Sequence, residues 1–199
     1  MKITKANGKA EYALIENLKK RSGETDHKIV DIVSSIIQGV KDGGDEAVRE
    51  YTVRFDGALP KKTVIEKDEL SEYLELVDAD FKKAIVDAKN NIYDFHKRQA
   101  QQSWFTTQDN GVIMGQRVRG LNRVGIYVPG GTAAYPSSVL MNAVPAKIAG
   151  VREIIMVTPP GKDGSPNPNI MAAAAVAGVD RVFLCGGAQA VAALAYGTE

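Results

Sequence analysis

Charge almost stops at residue 124. Of the 25 basic and 24 acidic side chains in 199 residues, only eight lie in 124–199: Lys147, Arg152, Glu153, Lys162, Asp163, Asp180, Arg181 and Glu199. A solvated first part therefore gives way to a segment built for burial. Within that segment apolar runs alternate with helix-forming runs. A strand over 124–128 leads into Pro129-Gly130-Gly131, and a helix over 137–149 follows, carrying Pro145 as a bend. A strand over 153–157 ends at Thr158-Pro159-Pro160, and a small-residue helix over 170–177 is closed by Gly178. A third strand over 181–185 enters Gly186-Gly187-Ala188-Gln189 and a helix over 190–196. Strand and helix alternating at this spacing predict parallel strands joined by right-handed crossovers, half of a doubly wound sheet.

The first part reads mainly helical. Ile29, Ile32, Val33, Ile36, Ile37 and Val40 keep the spacing of one helical face, with Thr25 or Asp26 as the cap and Gly43-Gly44 as the end. Asp45 then caps a shorter helix carrying Val48, Tyr51 and Phe55, and 63–65 reads as a short strand. A long helix places Phe81, Ile85, Ala88, Ile92, Phe95 and Gln99 down one side. A hairpin follows, 104–108, the turn Asp109-Asn110-Gly111 and 112–118, the Asn-Gly pair supplying the positive φ values that a two-residue hairpin turn requires. The fold class is thus α/β: a helical N-terminal region with a β-hairpin over 1–123, then an incomplete parallel Rossmann-like (doubly wound) sheet over 124–199. The boundary falls at 119–124.

Composition narrows the function classes. A net charge of +1 gives no electrostatic reason to expect nucleic acid or an acidic membrane. One cysteine excludes an internal disulfide and fits a reducing, cytoplasmic setting. The basic start lacks the apolar core of a signal peptide, and the longest run without polar side chains, near 170–179, is far short of the roughly 20 residues of a membrane span. Two histidines and one cysteine leave little for a transition-metal site.

Ligands of doubly wound sheets bind outside the carboxyl ends of the strands. Those ends carry Tyr127-Val-Pro-Gly-Gly, Thr158-Pro-Pro-Gly and Cys185-Gly-Gly-Ala-Gln. In the third, a glycine pair lets backbone approach a ligand, and the following helix offers free N–H groups to an anion; a tight turn that simply needs glycine is the alternative. The G-x-G-x-x-G dinucleotide fingerprint is absent. Cys185 is either a thiolate at a helix start or a buried strand cysteine. Tyr127 either packs in the core or stacks on a ring. His27 and His96 read as surface residues, and no acidic pair stands out as general acid and base.

The strings VGIYVPGGTAAYPSSVLMNAVPAKIAGV, TPPG, AAAAVAGVD and GGAQAVAALAYGTE resemble histidinol dehydrogenase, densely from Arg119 to Glu199. GDEAVREYTVRFDG and the helix before the hairpin extend the resemblance more loosely over the first part. The resemblance implies oxidation of L-histidinol through L-histidinal to L-histidine with two NAD and a zinc ion, in a homodimer. It implies that 124–199 is a partial NAD-binding domain, that Tyr127 and Gln189 contact NAD, and that Ser137 and Ser138 lie near the substrate pocket. Family members run to roughly twice this length. The Gly-Pro-Gly-Asn segment, the Glu-His acid–base pair and the zinc ligands that follow AYGTE in the family are not in this sequence. The expectation is an N-terminal portion of such an enzyme, inactive alone, with no catalytic or metal-binding residue of its own. Two rivals share the architecture: a non-catalytic nucleotide-binding or interaction module, and an aldehyde-dehydrogenase-like reductase with Cys185 as nucleophile.

Overall fold

The structure, a computed structural model, describes residues 3–23, 27–130 and 134–198. In chain order the elements are α1 (Ala10–Gly23), α2 (His27–Asp56), β1 (Val64–Glu66), α3 (Lys67–Leu70), a 3-10 segment (Ser71–Glu75), α4 (Ala79–His96) and a second 3-10 turn (Lys97–Gln99). The hairpin β2 (Trp104–Thr107) and β3 (Ile113–Gln116) comes next. Then come β4 (Arg123–Tyr127), α5 (Pro136–Ile148), β5 (Glu153–Thr158), α6 (Pro168–Ala177), β6 (Arg181–Leu184) and α7 (Gly187–Tyr196).

The alternation predicted after residue 123 is present as a parallel sheet. β4 pairs with β5 and β5 with β6, all parallel and in consecutive order. Side chains alternate across it. Ile126, Ile154, Met156, Val182 and Leu184 join one core with α5, α6 and α4. Val157, Phe183 and Cys185 face the other way, against Val48 of α2 and Ala190 and Leu194 of α7. The helix α6 is lined with Ala172, Ala173 and Ala174, all fully buried, because small side chains allow it to be packed on all sides. α7 crosses back over the sheet: a Cβ on Gly125 of β4 would lie 2.7 Å from a Leu194 methyl. The winding therefore runs β4, β5, β6 with helices on one face, then returns towards β4 on the other.

The first part supplies a fourth strand. β1 pairs antiparallel with β6, Val64 opposite Phe183 and Glu66 opposite Arg181. The sequence marks this strand but not its partner, since three residues carry no register information. Leu70 and Ile85 enter the same core as the sheet. Asp180, just before β6, ties three other elements together. Its carboxylate accepts from Lys147 of α5 (2.7 Å), Lys67 of α3 (3.0 Å) and the Ile154 N–H of β5 (2.9 Å).

Several expectations need correction. The break expected at Gly43-Gly44 is present as a kink within α2: Gly44, with φ of 54° and ψ of −135°, lies outside the helical region, and helix resumes directly after it. The caps assigned to Thr25 or Asp26 fall outside the described residues. The stripe on α4 holds at Phe81, Ile85, Ala88 and Ile92, but Phe95 is exposed and Gln99 lies beyond the helix. The hairpin turn spans Asp109-Asn110-Gly111 as the sequence places it, but the positive φ expected of the Asn-Gly pair holds at one residue only. Gln108 and Val112 close it, Gly111 alone has positive φ (82°), and Asn110 does not. That is a type I turn followed by a left-handed glycine, the commonest three-residue solution. α1 had no counterpart in the sequence reading. Asn7 caps it by accepting from the Lys9 and Ala10 N–H groups, while Glu11 accepts from Asn7 and Gly8.

Candidate functional site

The carboxyl ends of the three parallel strands meet around one proline. Gly130 follows β4, Pro159 follows β5 and Gly186 follows β6. A Cβ on Gly186 would lie 2.5 Å from Pro159 Cγ, and one on Gly130 would lie 3.3 Å from the same ring. Glycine at 186 is therefore a steric necessity, because the backbone there approaches Pro159 closely.

The start of α7 adds polarity to this edge. Among the described residues no side chain caps its first turn, so its leading N–H groups remain available to an anion or dipole. Gln189, in that first turn, is fully buried, and among the described residues neither its Oε1 nor its Nε2 has a hydrogen-bond partner. The amide folds back over Gly187, where a Cβ would lie 2.5 Å from Oε1. A buried primary amide with both ends unsatisfied costs on the order of 1–3 kcal/mol per group, a cost that a donor–acceptor ligand would relieve. This is the one fully buried side chain among the described residues whose polar atoms are all orphaned.

Tyr127 closes β4 at the same edge and is 40% exposed, so its ring is presented rather than packed in the core. Ser137 is exposed and Ser138 half-buried, both in the first turn of α5. Gly131 falls outside the described residues. Asp56, at the end of α2, was not singled out from sequence. Its carboxylate faces Gly186, one oxygen is buried without a partner, and burial pushes its pKa up, only partly opposed by the Gly186 N–H. An acid ending a helix before Gly57 was the available signal, but so many acids share that context that it points nowhere by itself.

Cys185 is buried. Burial, reinforced by Asp56 and Asp45, pushes its thiol up to about 12, so the thiolate required of a nucleophile is suppressed at neutral pH. His27 is exposed, and His96 binds Gln99 Oε1 at 2.6 Å with its ring edge-on to Phe95. Among the described residues no three His, Cys, Asp or Glu side chains gather as metal ligands. No helix among them is long and apolar enough to cross a membrane.

The histidinol dehydrogenase family model matches residues 19–199. The histidinol dehydrogenase of Clostridium acetobutylicum is 53% identical over 184 residues, covering 92% of this chain and 43% of the relative. That of Bacillus subtilis is 50% identical over 167 residues, 84% of this chain and 39% of the relative. The crystal structure of histidinol dehydrogenase from Elizabethkingia anophelis superposes with a TM-score of 0.80 at 33% identity, covering 88% of this chain and 41% of that one. The chain thus spans less than half the length of the relatives it matches.

Proposed function

The chain belongs to the histidinol dehydrogenase family, and from that premise we propose that its strand-end edge is the NAD-binding wall of an enzyme oxidising L-histidinol through L-histidinal to L-histidine. The observation that carries this reading is Gln189, an amide buried with nothing to bond at the N-terminus of a helix. A ribose hydroxyl or the carboxamide of the cofactor can satisfy both ends of it. The exposed Tyr127 ring covers an aromatic part of the same ligand, and the free N–H groups of α7 face its polar portion. When bound, NAD supplies the hydride acceptor. Ser137 and Ser138 lie towards the substrate.

In this reading 1–123 is a helical N-terminal region with a hairpin, and 124–199 a partial Rossmann-like NAD-binding domain. The base that takes the hydroxyl proton and the zinc ligands lie in sequence equivalent to the unmatched length of the relatives. Zinc does not fit the residues described here, where no donor cluster forms. The 199 residues alone accordingly do not turn over histidinol. The whole enzyme is a cytoplasmic homodimer, a second copy covering apolar surface such as Trp104, Phe105 and Ile113 of the hairpin, each more than half exposed.

Gln189→Leu separates the cofactor role from a packing role. Removing an unsatisfied buried amide raises the thermal stability of the chain without ligand, because leucine of similar size has nothing to desolvate. NAD binding weakens roughly two- to twelvefold, the worth of one neutral hydrogen bond. Tyr127→Ala weakens NAD binding with little change in stability. Calorimetric titration with NAD beside a melting curve reads both quantities; higher stability with unchanged NAD affinity would remove Gln189 from the cofactor site.

A further inference from the structure

At the opposite edge of the sheet, where β4 and β5 begin, lies a cleft of about 320 Å³ lined by Arg117, Arg119, Gly120, Asn122, Gly150 and Arg152. We propose that this cleft binds the diphosphate group of a small molecule, separately from the strand-end site. Among the described residues no acidic side chain lines it. Among the described residues none of the three guanidinium groups has an ion pair or a side-chain hydrogen bond, and the adjacent acid, Glu153, is held by Arg123 at 2.5 Å. Arginines placed merely to neutralise the C-terminal carbonyls of α5 would donate to Ala149 or Gly150, and these do not.

Two short connections build the cleft. Residues 117–122 join the hairpin to β4, and 149–152 join α5 to β5. They run against each other backbone to backbone: a Cβ on Gly120 would collide with the Gly150 carbonyl. The Arg152 N–H donates to the Leu121 carbonyl (3.4 Å) and the Glu153 N–H to the Asn122 carbonyl (3.1 Å), so the floor is fixed by the sheet. The arginines are thus rooted on a rigid base while their heads stay exposed. Guanidinium forks match phosphate oxygens in pairs. Three of them balance the charge of a diphosphate, and the volume sits at the small end of the range for ligand pockets.

Inorganic pyrophosphate titrated into the chain by calorimetry tests this, with ADP as a second arm and citrate as a third. Pyrophosphate is expected to bind, ADP to compete with it, and citrate to bind at least tenfold more weakly. Arg119→Gln and Arg152→Gln each weaken pyrophosphate binding about tenfold or more, the worth of a charge-assisted contact. Arg152→Lys also weakens it, because the charge remains and the fork is lost. Circular dichroism of these exposed-site variants checks that the fold is retained. Gln189→Leu leaves pyrophosphate binding unchanged, which sets the cleft apart from the proposed cofactor site. No binding, equal binding by the arginine variants, citrate as tight as pyrophosphate, or loss through Gln189→Leu would each overturn the assignment.

Discussion

Two aspartates show how single residues set the pH response of this molecule in opposite senses. At Asp180 burial by itself would raise the carboxyl pKa, but Lys147, the Ile154 N–H and Lys67 outweigh it and hold the group below its ordinary range. A carboxylate depressed in the folded state contributes stability that is present above its unfolded pKa and lost as pH falls through the folded one. Asp180→Asn should therefore cost about 1.5–3 kcal/mol at neutral pH, the worth of a hydrogen bond to a charged group, with the gap to wild type shrinking as the solution becomes acidic. Urea unfolding at several pH values measures this; a gap that stayed constant into acid would contradict the ion-pair account. Asp56 is the mirror case. Its pKa is raised by burial, so its contribution is complete below the ordinary carboxylate range and is lost as pH rises through the folded value. Asp56→Asn should unfold at a higher temperature than wild type at neutral pH and at the same temperature in acid.

At the scale of elements, the sequence announced the parallel strands because each is a short apolar run punctuated by glycine or proline. The helices between them were readable for the same reason. What it concealed were relationships without a periodic signature. β1 reads as a strand, yet nothing in Val64-Ile-Glu66 says that it closes the edge beside β6. The turn falls at Asp109-Asn110-Gly111 as read, yet the positive φ expected of the Asn-Gly pair is found at Gly111 alone, because three residues rather than two make the turn. The apolar stripe of α2 is buried at Ile36 and Val40, whereas Ile29 and Ile32 are about 60% exposed, because a stripe states which face is apolar and not how far its partner extends. The kink at Gly44 is where two elements depend on each other. A Cβ there would run into the Thr198 carbonyl beyond α7, and its backbone conformation is one that L side chains rarely adopt. Gly44→Ala should lower stability by about 1–3 kcal/mol. A melting temperature equal to wild type would mean that the kink can straighten and that α2 and α7 are not coupled through it.

Over the whole molecule, the two faces of the sheet are covered by different parts of the chain, α5 and α6 on one side, α2 and α7 on the other. The return of α7 over β4 places a reversal of winding beside the strand end that carries Tyr127, the position at which such sheets bind ligands. The strand ends and the glycine pair were legible in the sequence itself, while Tyr127 and Gln189 were singled out on them by the family resemblance. The orphaned state of the Gln189 amide was not legible, since burial and the absence of partners are properties of packing. The central claim, that this edge holds NAD, is tested most directly by titrating NAD into the isotope-labelled chain and following its amide resonances by NMR. The account predicts that the Gln189 side-chain amide and the backbone N–H groups of Gly186, Gly187 and Tyr127 shift together and saturate at one concentration. Saturable NAD binding that leaves those resonances in place, or no binding at millimolar NAD, would contradict it.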